Sequence, residues 1–109
     1  MASRRKPLDW TEREVTRYLT HLSARYGCEI RKVRWEGRNY APDYVILFPG
    51  GALCWVEAKG KNLHPTAGQR HEHIVMQNLG QDVRTINSFD GADELFSDYI
   101  EEFEYSPLV

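Results

Sequence analysis

No run in this chain approaches the roughly 20 consecutive apolar residues of a helical membrane span. Cysteine is scarce: Cys28 and Cys54 are the only two in 109 residues, too few for the disulfide framework of a small secreted scaffold. Cys54 falls inside an apolar run, so both read as buried, reduced thiols, and the cytoplasm is the expected location. Residues 1–7 are basic but lead into no apolar stretch, which argues against a secretory signal. Zinc spacing is missing as well. His71 and His73 sit two apart on an expected helix, roughly 200° around its axis, and cannot grip one ion as a pair four apart can. Basic residues are absent from 90–109, which hold seven Asp or Glu, whereas 1–39 hold ten Lys or Arg against five acidic residues. A total charge of −2 therefore conceals a basic first third and an acidic end, so a polyanionic partner belongs with the first third.

A hydrophobic content of 41% over this length suits one compact domain spanning 1–109. There is no internal repeat, linker or low-complexity segment. Asp9 or Thr11 can cap a helix running to about Arg25, with Val15, Tyr18, Leu19 and Leu22 at helical spacing and Gly27 ending it. Residues 28–35 alternate as a strand. A hairpin follows, then a helix over 67–79 stopped by Gly80, a short strand over 82–86 and an amphipathic helix over 92–100. The order α-β-β-β-α-β-α defines an α/β fold, a central mixed sheet flanked by helices on both faces.

The hairpin holds the chemistry. Tyr44-Val45-Ile46-Leu47-Phe48 and Ala52-Leu53-Cys54-Trp55-Val56 flank Pro49-Gly50-Gly51, two strands around a glycine-containing turn. Symmetry about Gly50 sets Phe48 against Ala52 and Asp43 against Glu57. Opposed residues project from one face with Cβ atoms roughly 5 Å apart, and Lys59, two residues on, shares that face. Apolar residues occupy both faces of the strands, so the hairpin is central and covered. Two carboxylates brought together beside such a core raise each other's pKa unless a cation lies between them. Oxygen ligands without a thiolate or paired imidazoles favour Mg²⁺ or Mn²⁺. The bland alternative, Asp43 capping a turn and Glu57 with Lys59 forming a surface pair, fits poorly with apolar flanks. Arg31, Lys32, Arg34 and Arg38 surround Trp35 and Tyr40, and with Lys61 they are the expected nucleic-acid contacts, although an ordinary solvated face has the same composition.

Pro42-Asp43, Glu57-Ala58-Lys59 and the following helix bearing Gln69-x-x-x-His73 resemble the PD-(D/E)xK nuclease signature, and specifically the stand-alone VRR-NUC proteins of phages and bacteria. The likeness runs from the Glu14 helix through Gly80-Gln81-Asp82-Val83-Arg84 to Leu95. It implies a restriction-endonuclease-like fold and an endonuclease that cuts DNA with Mg²⁺ or Mn²⁺. It further implies a homodimer acting on branched structures such as four-way (Holliday) junctions. By matching position, Glu14, Asp43, Glu57 and the Ala58 carbonyl would hold metal, with Glu12 as the substitute ligand should Glu14 be a solvated helix residue; Lys59 would position or activate the attacking water, and Gln69 would orient that water or support the site. Tyr40-Ala41 stand where a glycine often precedes the motif. The alternative expectation is a DNA- or protein-binding module on the same fold whose chemistry is vestigial.

Overall fold

The computed structural model describes residues 9–105, and the basic segment 1–7 lies outside them. Helix α1 (Glu12–Arg25) begins at Thr11, whose hydroxyl accepts the Glu14 N–H while the Glu14 carboxylate accepts the Thr11 N–H, a reciprocal cap that satisfies two otherwise unpaired donors. Strands β1 (Glu29–Lys32), β2 (Tyr44–Leu47) and β3 (Leu53–Ala58) follow, then α2 (Ala67–Asn78), β4 (Val83–Ile86) and α3 (Phe89–Tyr99). The sheet order is β1-β2-β3-β4, with the first three strands antiparallel and β4 parallel to β3. This is the mixed restriction-endonuclease-like α/β architecture that the element order implies.

Alternation along the strands divides the apolar residues between two layers. Ile46, Phe48, Cys54, Val56, Ala58 and Ile86 pack with Val15, Leu19 and Leu22 of α1 and Leu95 and Phe96 of α3 into the main core. The intervening residues face the other way. There Trp55 meets Trp35 with ring centroids 5.3 Å apart, and Gln77 of α2 donates to the Val83 carbonyl at 3.0 Å. The Tyr18 hydroxyl donates to the buried Asp93 carboxylate at 2.6 Å, tying α1 to α3 inside the core.

Two boundaries differ from expectation. The β1 strand ends at Lys32 rather than Trp35: Val33 donates one last bond to the Asp43 carbonyl at 2.8 Å, and Trp35 then leaves the sheet to donate its indole N–H to the Pro42 carbonyl at 2.8 Å. The last helix starts at Phe89, three residues before Ala92, because Ser88 caps it by accepting the Gly91 N–H at 2.9 Å. Tyr40, where the resembling proteins often place glycine, has φ +71, a left-handed conformation costly for a side-chain-bearing residue. Its ring lies over Gly68, where an added Cβ would come within 2.9 Å of it. A bare glycine in the first turn of α2 thus admits the aromatic that holds the 34–42 loop.

Candidate active site

Strands β2 and β3 pair in the register Tyr44↔Val56 and Leu47↔Leu53, and one further step sets Asp43 opposite Glu57 as the Gly50 symmetry requires. The same register sets Pro42 opposite Ala58. Asp43 bonds toward β1 through its carbonyl, so a continued antiparallel ladder would direct the N–H of position 42 toward β3. Proline has no N–H to give, which leaves the Ala58 carbonyl without its ladder donor at the edge of the carboxylate pair. The sequence signature Pro-Asp thereby supplies a carboxylate and withholds one ladder donor from the carbonyl across the hairpin.

Glu57 is 2% exposed. Burial, the adjacent Asp43 carboxylate and hydrogen bonding to it push the Glu57 carboxyl up to about 8, Glu12 adds to the effect, and the Lys59 ammonium opposes it. His73, one helical turn beyond Gln69 on α2, brings its Nε2 to 3.7 Å from Glu57 Oε1. That gap is too long for a hydrogen bond. Both atoms are buried without a hydrogen-bond partner. Burial pushes the His73 imidazole below its ordinary range, with Glu72 pulling the other way and Lys59 reinforcing the shift. A neutral imidazole and an acid holding its proton near neutrality therefore face each other across an unsatisfied gap. Buried polar atoms seldom stay unpaired, and a cation or its bound water is the group that would discharge the carboxyl proton and satisfy them.

The residue types fit a hard divalent ion. Among the described residues no three His, Cys, Asp or Glu side chains are grouped closely enough to hold a metal by themselves. Two carboxylates and one carbonyl with water completing the shell is an arrangement suited to Mg²⁺, which keeps several waters and uses few protein ligands.

Two expected site residues take part in helix caps. Glu14 is committed to the α1 cap, its Oε1 accepting from the Thr11 N–H at 3.1 Å and lying 3.3 Å from the Thr11 hydroxyl. Glu12 is instead the helix carboxylate whose charge acts on Glu57, and the first turn of α1 abuts Gly60, where an added Cβ would meet the Glu12 nitrogen at 3.3 Å. Gln69 likewise closes the α2 cap: its Oε1 accepts from the Thr66 N–H at 2.9 Å, and its own N–H donates to the Thr66 hydroxyl. The α2 side chain that reaches Glu57 is His73. Both cases carry a readable signal, since Thr11-x-x-Glu14 and Thr66-x-x-Gln69 are capping boxes, and such a residue is already employed by its own helix.

The expected basic contacts are also partly engaged. Arg31 pairs with Glu29 at 2.9 Å, Arg38 with Glu72, and Lys61 approaches Asp9 at 3.6 Å and lies over the Trp10 ring. Lys32 lies over the Tyr44 ring at 5.8 Å from its centroid, and Arg34 is exposed.

A small mixed sheet with an acidic pair, a carbonyl and a lysine at the end of its central hairpin defines an α/β protein of the nuclease type. No family model matches the chain. A solved structure described as a VRR_NUC domain superposes with a TM-score of 0.76 at 32% identity, over 81% of this chain and 96% of that one. The chain belongs to the VRR_NUC family. It is also 29% identical over 79 residues, 72% of its length and 85% of the relative's, to "Putative nuclease p44" of Acyrthosiphon pisum secondary endosymbiont phage 1.

Proposed function

We propose that this protein is a divalent-metal-dependent DNA endonuclease, a hydrolase of phosphodiester bonds that works with Mg²⁺ or Mn²⁺. One observation carries the reading: the buried Glu57, set against Asp43 across the hairpin and facing His73, has a carboxyl oxygen without a partner. Asp43, Glu57 and the Ala58 carbonyl would hold the ion, with Glu12 rather than Glu14 as the helix carboxylate nearest the site. When bound, the ion supplies a nucleophilic water at neutral pH and neutralises charge on the phosphoryl oxygens.

The protein's own groups do the rest. Lys59, two residues beyond Glu57 on the same strand direction, places an ammonium where negative charge builds on the phosphate. His73 acts on Glu57: once that carboxyl has given up its proton, the Nε2–H tautomer can donate to it and fix its direction. Gln69 serves this centre by capping the helix that carries His73. Hydrolysis joins a water oxygen to phosphorus, breaks the bridging P–O bond and returns a proton to the leaving oxygen.

The substrate preference we propose is for branched DNA, such as a four-way junction, cut by a homodimer. A domain of this size has little surface to read a long sequence, and two-strand cleavage by a one-site chain calls for two copies related by a dyad.

The direct test incubates labelled four-way junction, flap, single-stranded and duplex DNA with the purified protein in Mg²⁺ or Mn²⁺, beside Asp43→Ala and Lys59→Ala. The expected result is paired nicks on the junction that vanish in both variants and on chelation. Binding without cleavage on every substrate would identify a vestigial binding module instead.

A further inference from the structure

Beside the site lies a groove of about 460 Å³ lined by Glu12, Arg13, Thr16, Arg17, Thr20 and Tyr44. Its two ends differ in character. Glu12 acts electrostatically on Glu57, so the Glu12 end of the groove is the end toward the acidic pair. From there the wall is one face of α1, and Glu12 to Thr20 spans about 12 Å of helix axis at 1.5 Å per residue.

The cations in this wall are unlike most others in the protein. Arg25, Arg31, Arg38 and Arg84 each hold a carboxylate, whereas Arg13 and Arg17 pair with none among the described residues. They are exposed and one helical turn apart, so they share a face and lie about 6 Å apart along the axis. Lys32 stands over the Tyr44 ring at 5.8 Å, adding a third positive charge at the groove's β-sheet side. The threonines form wall rather than contacts. Thr16 donates to the Glu12 carbonyl at 3.0 Å and Thr20 to the Thr16 carbonyl at 2.9 Å, so their protons are already committed.

We infer that this groove holds the phosphate backbone of the DNA strand as it enters the active site, with Arg13 and Arg17 gripping successive phosphates. The inference rests on the nuclease reading for its direction, toward the carboxylate pair, but on the groove's own charges for its binding. Two guanidinium groups one turn apart match a polyanion of regular spacing better than a single small anion, and a guanidinium fork takes phosphate oxygens bidentately. The acidic residues Glu94, Asp98, Glu101, Glu102 and Glu104 belong to α3 and the segment after it, leaving α1 as the basic helix of the fold.

The test is equilibrium binding of a fluorescent DNA duplex to the full chain in EDTA, where no metal-dependent cutting occurs, across a salt series. Each phosphate neutralised contributes about −0.9 to the slope of log affinity against log salt. Arg13→Ala/Arg17→Ala should weaken binding and flatten that slope by about two, Arg13→Lys/Arg17→Lys should retain most of the slope, and Arg25→Ala should leave it unchanged. Circular dichroism confirms that each variant keeps its helices. An unchanged slope in the double alanine variant overturns the inference even if the protein cuts DNA. A flattened slope in a chain that never cuts keeps the groove and overturns the nuclease reading, and absence of binding by the wild type in EDTA overturns the groove while the cleavage assay with Mg²⁺ or Mn²⁺ still decides the nuclease reading.

Discussion

Glu57 sits where an unpaired acid is least comfortable, and its protonation links stability to metal. Its folded-state pKa, pushed up to about 8, lies above the unfolded value. Between those values the folded protein binds more protons than the unfolded chain, so metal-free stability falls as pH rises through this window. We expect thermal midpoints in EDTA to drop from pH 5 to pH 8.5 in the wild type and much less in Glu57→Gln. At pH 8, Mg²⁺ or Mn²⁺ should raise the midpoint of the wild type and leave Glu57→Gln unmoved; an equal rise in both would place the ion elsewhere. The two α1 glutamates separate the same way. Glu14→Ala should cost about 1 kcal/mol through the lost cap with cleavage per folded molecule retained, whereas Glu12→Gln should spare the fold and weaken the metal response. Denaturant melts paired with cleavage rates distinguish the two. At this scale the sequence was legible in its pairs and less so in its helices. Asp43 and Glu57 follow from a turn whose symmetry is written in Pro49-Gly50-Gly51, while on the helices Glu12 and Glu14 are both candidates until the threonine three residues before Glu14, and likewise before Gln69, is recognised as a capping partner.

Among the elements, β2 and β3 were readable because a short turn fixes register and register fixes the facing residues. The end of β1 was not, since Trp35 alternates correctly for a strand yet turns out to be anchored by its indole N–H to the Pro42 carbonyl, a tertiary contact that no local pattern announces. His73 is excluded by spacing from sharing an ion with His71, and its approach to Glu57 depends on where α2 crosses the sheet, which periodicity does not specify. The hairpin makes its own prediction. Pro42→Ala restores an N–H opposite the Ala58 carbonyl, so the ladder should extend by one bond and compete for that oxygen. The variant should fold with β-sheet signature intact, need more metal to reach its thermal plateau, and cleave at least several-fold more slowly at limiting Mg²⁺. Unaltered metal dependence would remove the carbonyl from the site. Lys59→Ala, by contrast, should lower turnover by roughly 10²–10³, the range for losing one preorganised electrostatic contact, without changing the metal-induced rise in stability.

For the whole molecule the question is how one acidic pair per chain divides its work between two strands. The described residues form a single sheet with a single such hairpin end, so under the proposed function one copy would make one nick per encounter. Concerted opening of a junction then needs a second copy, and the acidic and basic sides of the chain limit how two copies approach DNA together: like faces meet across a dyad only if the basic α1 grooves both turn toward the DNA and the acidic ends point away. Mixing exposes the stoichiometry. When wild type is diluted with Lys59→Ala at fixed total protein and allowed to exchange, a dimer that cuts both strands should lose paired cleavage as the square of the wild-type fraction, so an equal mixture retains about a quarter, while single nicks persist in mixed pairs. A monomer acting twice on one junction passes through singly nicked product even when every chain is wild type, and its sedimentation stays that of one chain with and without DNA. The square law together with a two-chain sedimentation coefficient would place the dyad in solution, and a linear fall in cleavage would leave each chain working alone.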